Sequence, residues 1–301
     1  MTASNGPSVY HLGRPLAVFE APYLGSDKAF AAQRHDETVI KSPRYEHCTF
    51  ANLSFKGAKF KSGTFIDCIF IGCYFRRAEL TDCHFIGCRF FDCNFNHIAL
   101  KSCDFRFSVF RRCHVAYSEL EYSLPREPNL REELARNLSV ESSRLGLSKE
   151  ARRYRIAEIR AHEEHLRAAI LGKSQWYKDH FDGLGRFQAF LEWMLSLLNR
   201  WLWGYGEHAG VLVRNLIVLA FFVFPILFHI FKDQLSHTSE RPIEILDPLF
   251  FSLENVIPAG VVSGIVATGS TTRFLAGLES LFGVVAIALF AAYVFRWSLH
   301  R

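Results

Sequence analysis

Residues 63–75 read Gly63-Thr64-Phe65-Ile66-Asp67-Cys68-Ile69-Phe70-Ile71-Gly72-Cys73-Tyr74-Phe75. Phenylalanine returns here at every fifth position, and small residues return two places before it. The spacing extends in both directions. Steps of five from Phe50 to Leu120 meet fifteen apolar residues in a row, eleven of them Phe. Steps of five from Cys48 to Ser118 meet only small or apolar residues, and all eight cysteines of the chain fall in this register. A period of five matches neither a helix nor a flat strand. It fits a chain that turns a corner every five residues and points two side chains inward along each side. Four sides close a coil of twenty residues, and coils stacked at the ~4.8 Å strand spacing bury a continuous ladder of Phe and Cys.

The unit Ala51-Asn52-Leu53 resembles the A-(D/N)-L-x-x motif of the pentapeptide-repeat family, and the repeat from Glu46 to Leu120 carries the resemblance. It implies a right-handed quadrilateral β-helix over residues 46–124, preceded by an N-terminal cap or arm over 1–45. The cysteines lack the C-x₂-C clustering of zinc sites, so packed, reduced thiols are expected and no metal or cofactor is. Some soluble members of the family mimic DNA with an acidic surface. Residues 46–120 carry ten Lys/Arg against seven Asp/Glu, the wrong sign for that role, and no nucleic-acid partner is expected.

The whole chain has 301 residues and a formal net charge of +5. Residues 1–20 contain no basic segment followed by an apolar run, which argues against a cleaved secretory signal and for a cytoplasmic repeat domain with reduced thiols. Pro125 and Pro128 end the repeat. Leu130, Leu134 and Leu138 then recur at helical spacing as far as Leu145, with Gly146 as a helix stop and Ser148 as the N-cap of a second helix. Residues 125–184 are thus expected to form a cytoplasmic helical hairpin. His162 and His165 are not at metal-ligand spacing. Over residues 185–210, Phe187, Phe190, Leu191, Met194, Leu198 and Trp201 share one face, opposite Gln188, Glu192, Ser196 and Asn199. Such an amphipathic helix suits a membrane surface.

Residues 211–301 read as a two-transmembrane domain. The 211–231 and 274–295 segments are each long and apolar enough for the hydrocarbon core. Arg200, Arg214, Arg296 and Arg301 flank one side, and the intervening 232–247 loop carries more acids than bases. Both termini are therefore expected in the cytoplasm. Pro225 predicts a kink. Between the crossings, Asp247-Pro248 opens a helix over 247–256, too short to span, with Asp247 as N-cap. An uncharged Gly- and Pro-containing stretch follows over 257–270. Irregular backbone at membrane depth must line water or be buried in protein.

Gly204-Tyr205-Gly206-Glu207, Phe251-Ser252-Leu253 and Arg273-Phe274-Leu275-Ala276-Gly277-Leu278-Glu279 resemble the two-transmembrane, potassium-channel-like pore-loop ion channels, which also occur fused to pentapeptide repeats. The resemblance covers about Gly204 to Arg301. It implies a homotetramer in the bacterial inner (plasma) membrane, with lipid and permeant ions as partners and a bend at Gly283. Potassium-selective members carry T-x-G-Y-G after the pore helix, whereas this chain has Asn255-Val256-Ile257-Pro258-Ala259-Gly260. The expected pore is therefore differently selective, lined at Asn255, Pro258, Gly260, Ser263 and Gly264. Glu254, Arg273, Glu279 and Gly283 are the expected supports, with Glu279 bonded inside the pore-helix scaffold or paired with Arg273. No enzyme motif is present. A cation channel with a repeat domain for assembly, gating or binding of a cytoplasmic protein or small-molecule regulator is the leading reading. A membrane-anchored scaffold or sensor is the alternative.

Overall fold

The structure is a computed structural model and describes residues 16–206, 209–239, 241–256 and 263–299. The chain divides between Phe190 and Leu191 into two compact units.

The first unit is built on a four-sided β-solenoid. One side stacks β1 (Leu24–Ser26), β4 (Arg44–Glu46), β7 (Thr64–Ile66) and β10 (His84–Ile86). The next stacks β2 (Ala29–Ala31), β5 (Thr49–Ala51), β8 (Ile69–Ile71), β11 (Arg89–Phe91) and β13 (Val109–Arg111). A third stacks β3 (Val39–Lys41), β6 (Lys59–Lys61), β9 (Glu79–Thr81) and β12 (Ala99–Lys101). The fourth side is held by single bridges that run Arg34, Ser54, Tyr74, Asn94, His114. All these pairings are parallel, with residues twenty apart in register, such as Phe50 with Phe70.

The corners explain the period. Every fifth residue from Asp27 to Arg112 has a positive φ, between 48° and 67°. Asp, Asn, Ser, His and Gly fill most of these sites because they tolerate the left-handed region best. Each side then points two residues inward. Phe30, Phe50, Phe70, Phe90 and Phe110 form one stacked column, with successive ring centroids 5.0, 4.7, 4.9 and 4.8 Å apart. Phe65, Phe85 and Phe105 form a second, and Phe55, Phe75 and Phe95 a third. Neighbouring columns meet edge to face, the other favoured aromatic geometry.

The cysteines are all buried and free. Most of their thiols point at backbone carbonyls of the coil before: Cys73 donates to Phe50 O at 3.4 Å and Cys93 to Phe70 O at 3.5 Å. Ser108 occupies the same register and donates to Phe85 O at 2.6 Å. Burial, reinforced by the Cys113 and Cys73 sulfurs, pushes the Cys93 thiol well above the ordinary range. A thiol held protonated is a poor nucleophile and a poor metal ligand.

The solenoid begins earlier than the sequence predicts. Residues 24–45 were expected to belong to a separate cap, yet they form its first coil. Phe30, Ile40 and Tyr45 continue the central register there and are fully buried. The coil is masked in the sequence because Gln33, Thr38 and Pro43 interrupt the small-residue register and Gly25 interrupts the central one. The Phe19 ring closes this end, 5.4 Å from that of Tyr45 and 5.8 Å from that of Phe30.

The other end is closed by helices. A short α1 (Tyr117–Leu120) and a 3₁₀ turn lead into the antiparallel pair α2 (Pro128–Arg144) and α3 (Ser148–Leu171). The edge strand β13 would otherwise expose unpaired backbone groups. The Asn137 amide accepts from Phe110 N at 2.8 Å and donates to Phe110 O at 3.0 Å, standing in for the next strand. Glu141 accepts from Arg112 N, Glu150 accepts from Tyr117 N, and the Tyr154 hydroxyl donates to Val115 O. Gly146, at φ 74°, stops α2 as expected. Ser148 is not an N-cap: Leu147 holds that place, and α3 has no side-chain cap. A short α4 (Gln175–His180) follows.

Helix α5 (Gly183–Trp203) is shorter than the expected 185–210 span and leaves Phe187, Leu195, Leu198 and Trp201 exposed on its surface. The expected apolar face is therefore present and is not covered as a core helix would be. In the second unit α6 (Ala209–Val218) leads through a π-helical turn, Leu219–Val223, into α7 (Phe224–Ile230). Together Gly210–Ile230 is long and apolar enough to cross a membrane, as is Ser270–Phe295 within α9 (Ser270–Leu299). Between them lie the antiparallel strands β14 (Leu235–His237) and β15 (Ile265–Ala267) and the helix α8 (Asp247–Val256).

Candidate functional site

The site centres on α8, which packs against the π-helical turn, α7 and α9. Its position follows from Pro225. Proline has no N–H to give the preceding turn. The helix widens there, and Phe224 N reaches back to Leu219 O. In that register the carbonyl of Ala220 faces the nitrogen of Pro225 and gets no backbone donor. The Ser252 hydroxyl of α8 supplies one at 2.8 Å. The expected kink at Pro225 is thus a π-turn whose freed carbonyl anchors α8.

Ser252 also contacts the carboxylate of Glu279, and the Asn255 amide donates to the same group at 3.3 Å. Glu279 and Ser252 are both completely buried. Glu279 therefore sits inside the α8 scaffold, the first of its two expected roles. Arg273 does not pair with it: the Arg273 guanidinium donates to Ala267 O at 3.1 Å, at the end of β15. Asn255, expected to line a pore, has its side chain turned to Glu279. Glu254 accepts from the backbone N of Ser263 at 2.9 Å and from its hydroxyl, tying Ser263 to α8.

Two glycines explain how closely these parts approach. A Cβ on Gly283 would lie 2.9 Å from the Val256 carbonyl oxygen. The residue is a notch that seats the end of α8, and α9 runs through it without a break in the helix. Gly264, at φ 68°, lets its carbonyl accept from Thr238 N at 2.8 Å.

Residues 265–267, expected to belong to a filter-like loop, pair instead with residues 235–237 as a two-stranded ribbon. Gln234 accepts at its backbone carbonyl from Thr268 N and Thr272 Oγ1, and so fastens the start of α9 to the ribbon. Asp247, expected to cap α8, instead accepts from Arg241 and from Glu244 N on the preceding loop. Pro258 and Gly260 lie outside the described residues.

A second polar contact joins α5 to α6. Gly204 and Tyr205 have φ of 59° and 58°, which breaks the helix there. Asn215, buried in α6, donates to the terminal α5 carbonyls of Trp201 and Leu202. Arg214 holds the other end of that amide at 3.1 Å. Sequence reasoning assigned Arg214 only to the membrane surface and passed over Asn215. An amide inside an otherwise apolar helix was the available signal. Among the described residues, no group of three or more His, Cys, Asp or Glu is placed to hold a metal.

Residues 45–89 and 55–99 match the family described as Pentapeptide repeats (9 copies). Among solved structures, the chain is similar to a trypsin-treated form of a plasmid-mediated fluoroquinolone resistance protein. The alignment has 16% identity, covers 31% of this chain and 56% of that one, and has a TM-score of 0.17. It is also similar to a pentapeptide repeat protein from the Arabidopsis thaliana thylakoid lumen, with 12% identity, 30% and 73% coverage, and a TM-score of 0.13. The chain thus spans about half the length of the first of these structures. No curated protein matches it. The solenoid is built of pentapeptide repeats, on a chain that also carries two helices long and apolar enough to cross a membrane.

Proposed function

We propose that this protein is the subunit of a cation channel in a bacterial inner membrane, assembled as a tetramer around a shared axis with both termini in the cytoplasm. One observation carries the reading. Helix α8 has ten residues, about 15 Å of rise, or half the hydrocarbon thickness. It is nevertheless held between two span-length apolar helices by buried polar bonds, through Ser252 to Ala220 O and Glu279. A mere anchor has no use for a half-length helix fixed at that depth, whereas a pore loop requires one. The outward surfaces of the two long helices support the membrane assignment: Phe222, Ile226, Leu281 and Val284 are exposed. The repeat domain and its helical cap then serve assembly, gating or partner binding.

The test is reconstitution into planar bilayers, with reversal potentials read under K⁺, Na⁺ and Cl⁻ gradients. Currents that reverse with the cation gradient are expected, together with altered conductance in Gly260→Val and Gly264→Val. Clean reconstitution with no current under any gradient would leave the membrane-anchored scaffold as the reading.

A further inference from the structure

A cavity of about 830 Å³ opens in the first unit, between the solenoid corner at Phe107, the start of α2, the end of α3 and the turn into α4. That size falls in the range of ligand pockets, about 300–1,000 Å³. Its lining combines two flat aromatic surfaces with uncompensated positive charge.

Phe107 supplies one surface, and the solenoid does not need it there. It occupies a corner at φ 60° and is 60% exposed. The equivalent corners of the earlier coils hold Asp27, His47, Asp67 and Gly87. A bulky ring in the left-handed region is strained, and its side chain here packs into no core. Strain kept at an exposed position points to use. Trp176 supplies the other surface: it is 44% exposed, and its ring is stacked at 4.4 Å on His180.

The charge comes from Arg126, Arg167 and Lys173. Among the described residues no ion pair engages these three. The acids of the lining are already taken, Glu127 by Arg106 at 3.6 Å and Glu164 by Arg131. Helix α2 also enters the lining with no side-chain cap on its first N–H groups, which leaves a partial positive charge beside the three cations.

We propose that this cavity binds a small anion bearing a flat ring, of the nucleotide class. The ring rests against Phe107 and Trp176, and the phosphate groups face Arg126, Arg167 and Lys173. The inference is independent of conduction, because it concerns only the repeat domain and its cap.

The test is isothermal titration calorimetry on the full-length protein in detergent, with ATP, adenosine and inorganic pyrophosphate as probes. ATP is expected to bind saturably with a Kd below about 1 mM. Trp176→Ala should weaken ATP about tenfold and leave pyrophosphate unchanged. Arg167→Gln with Lys173→Gln should weaken both, and raised salt should do the same. All three positions are exposed, so an unchanged circular-dichroism melt is expected, and Phe107→Gly provides a second route to losing the ring contact. Absence of saturable heat with ATP up to about 5 mM, or variants that bind ATP as the parent does, would overturn the proposal.

Discussion

At the scale of single residues, two phenylalanines of the repeat predict opposite outcomes. Phe70 is fully buried and stacked between Phe50 and Phe90. Phe70→Ala should destabilise by about 3–5 kcal/mol, the cost of a large core cavity. Phe107 pays for a left-handed backbone without burying its ring, so Phe107→Gly should stabilise by about 1 kcal/mol. Chemical denaturation followed by circular dichroism distinguishes the two signs. Charge predicts less. Arg112 donates two hydrogen bonds of 2.6 Å to Asp92 and holds that carboxyl below its usual range. A depressed carboxylate contributes stability above its unfolded pKa of about 4 and loses it as the pH falls further. Both side chains are about half exposed, so Asp92→Asn should cost under about 1 kcal/mol at neutral pH. The difference between Asn and Asp should shrink in melts as the pH falls below about 4.

At the scale of elements, the polar side chains that join one segment to another are the ones to test. Asn137 replaces a missing strand at β13. Asn137→Ala should cost about 2 kcal/mol by stranding both groups of Phe110. In hydrogen exchange, residues 109–111 should lose protection while 69–71 keep it. In the second unit Ser252→Ala should cost about 1–3 kcal/mol, because it strands the Ala220 carbonyl and a buried carboxylate. Pro225→Ala restores a backbone donor near that carbonyl. The two changes should therefore be less than additive in a double-mutant cycle read by thermal unfolding in detergent.

The same elements show what the sequence displays and what it hides. The coils from residue 46 and the bounds of α8 are legible because both depend on local pattern: a run of fives, and a Pro-led start before an apolar turn. The first coil is not, since Pro43, Thr38 and Gln33 break the pattern while the burial of Phe30 and Ile40 preserves the fold. The β14–β15 ribbon joins segments about thirty residues apart, and three-residue strands leave no periodicity to find. Asn137 resembles any solvated helix residue until β13 is placed beside it. At the candidate site, the burial of Glu279 with Ser252 and the closeness of Gly283 to Val256 are tertiary facts. The residue types are visible along the chain, but which of them meet is decided by the packing of α8 on α9.

At the scale of the whole molecule, the four sides of the solenoid are not interchangeable. Three are made of strand ladders and the fourth of single bridges beside a turn. Excising twenty residues, so that Gly63 is joined to His84, returns every side to its own kind. The shortened protein should still unfold in one cooperative step by circular dichroism. Excising five (64–68) rotates everything downstream by a quarter turn and sets the turn-bearing side against a ladder. That variant should be less stable than the one missing four times as many residues. Growth and loss in this architecture are therefore quantised: the solenoid can lengthen or shorten by whole storeys, and the compass bearing of its capping hairpin is set by how many fives were laid down before it.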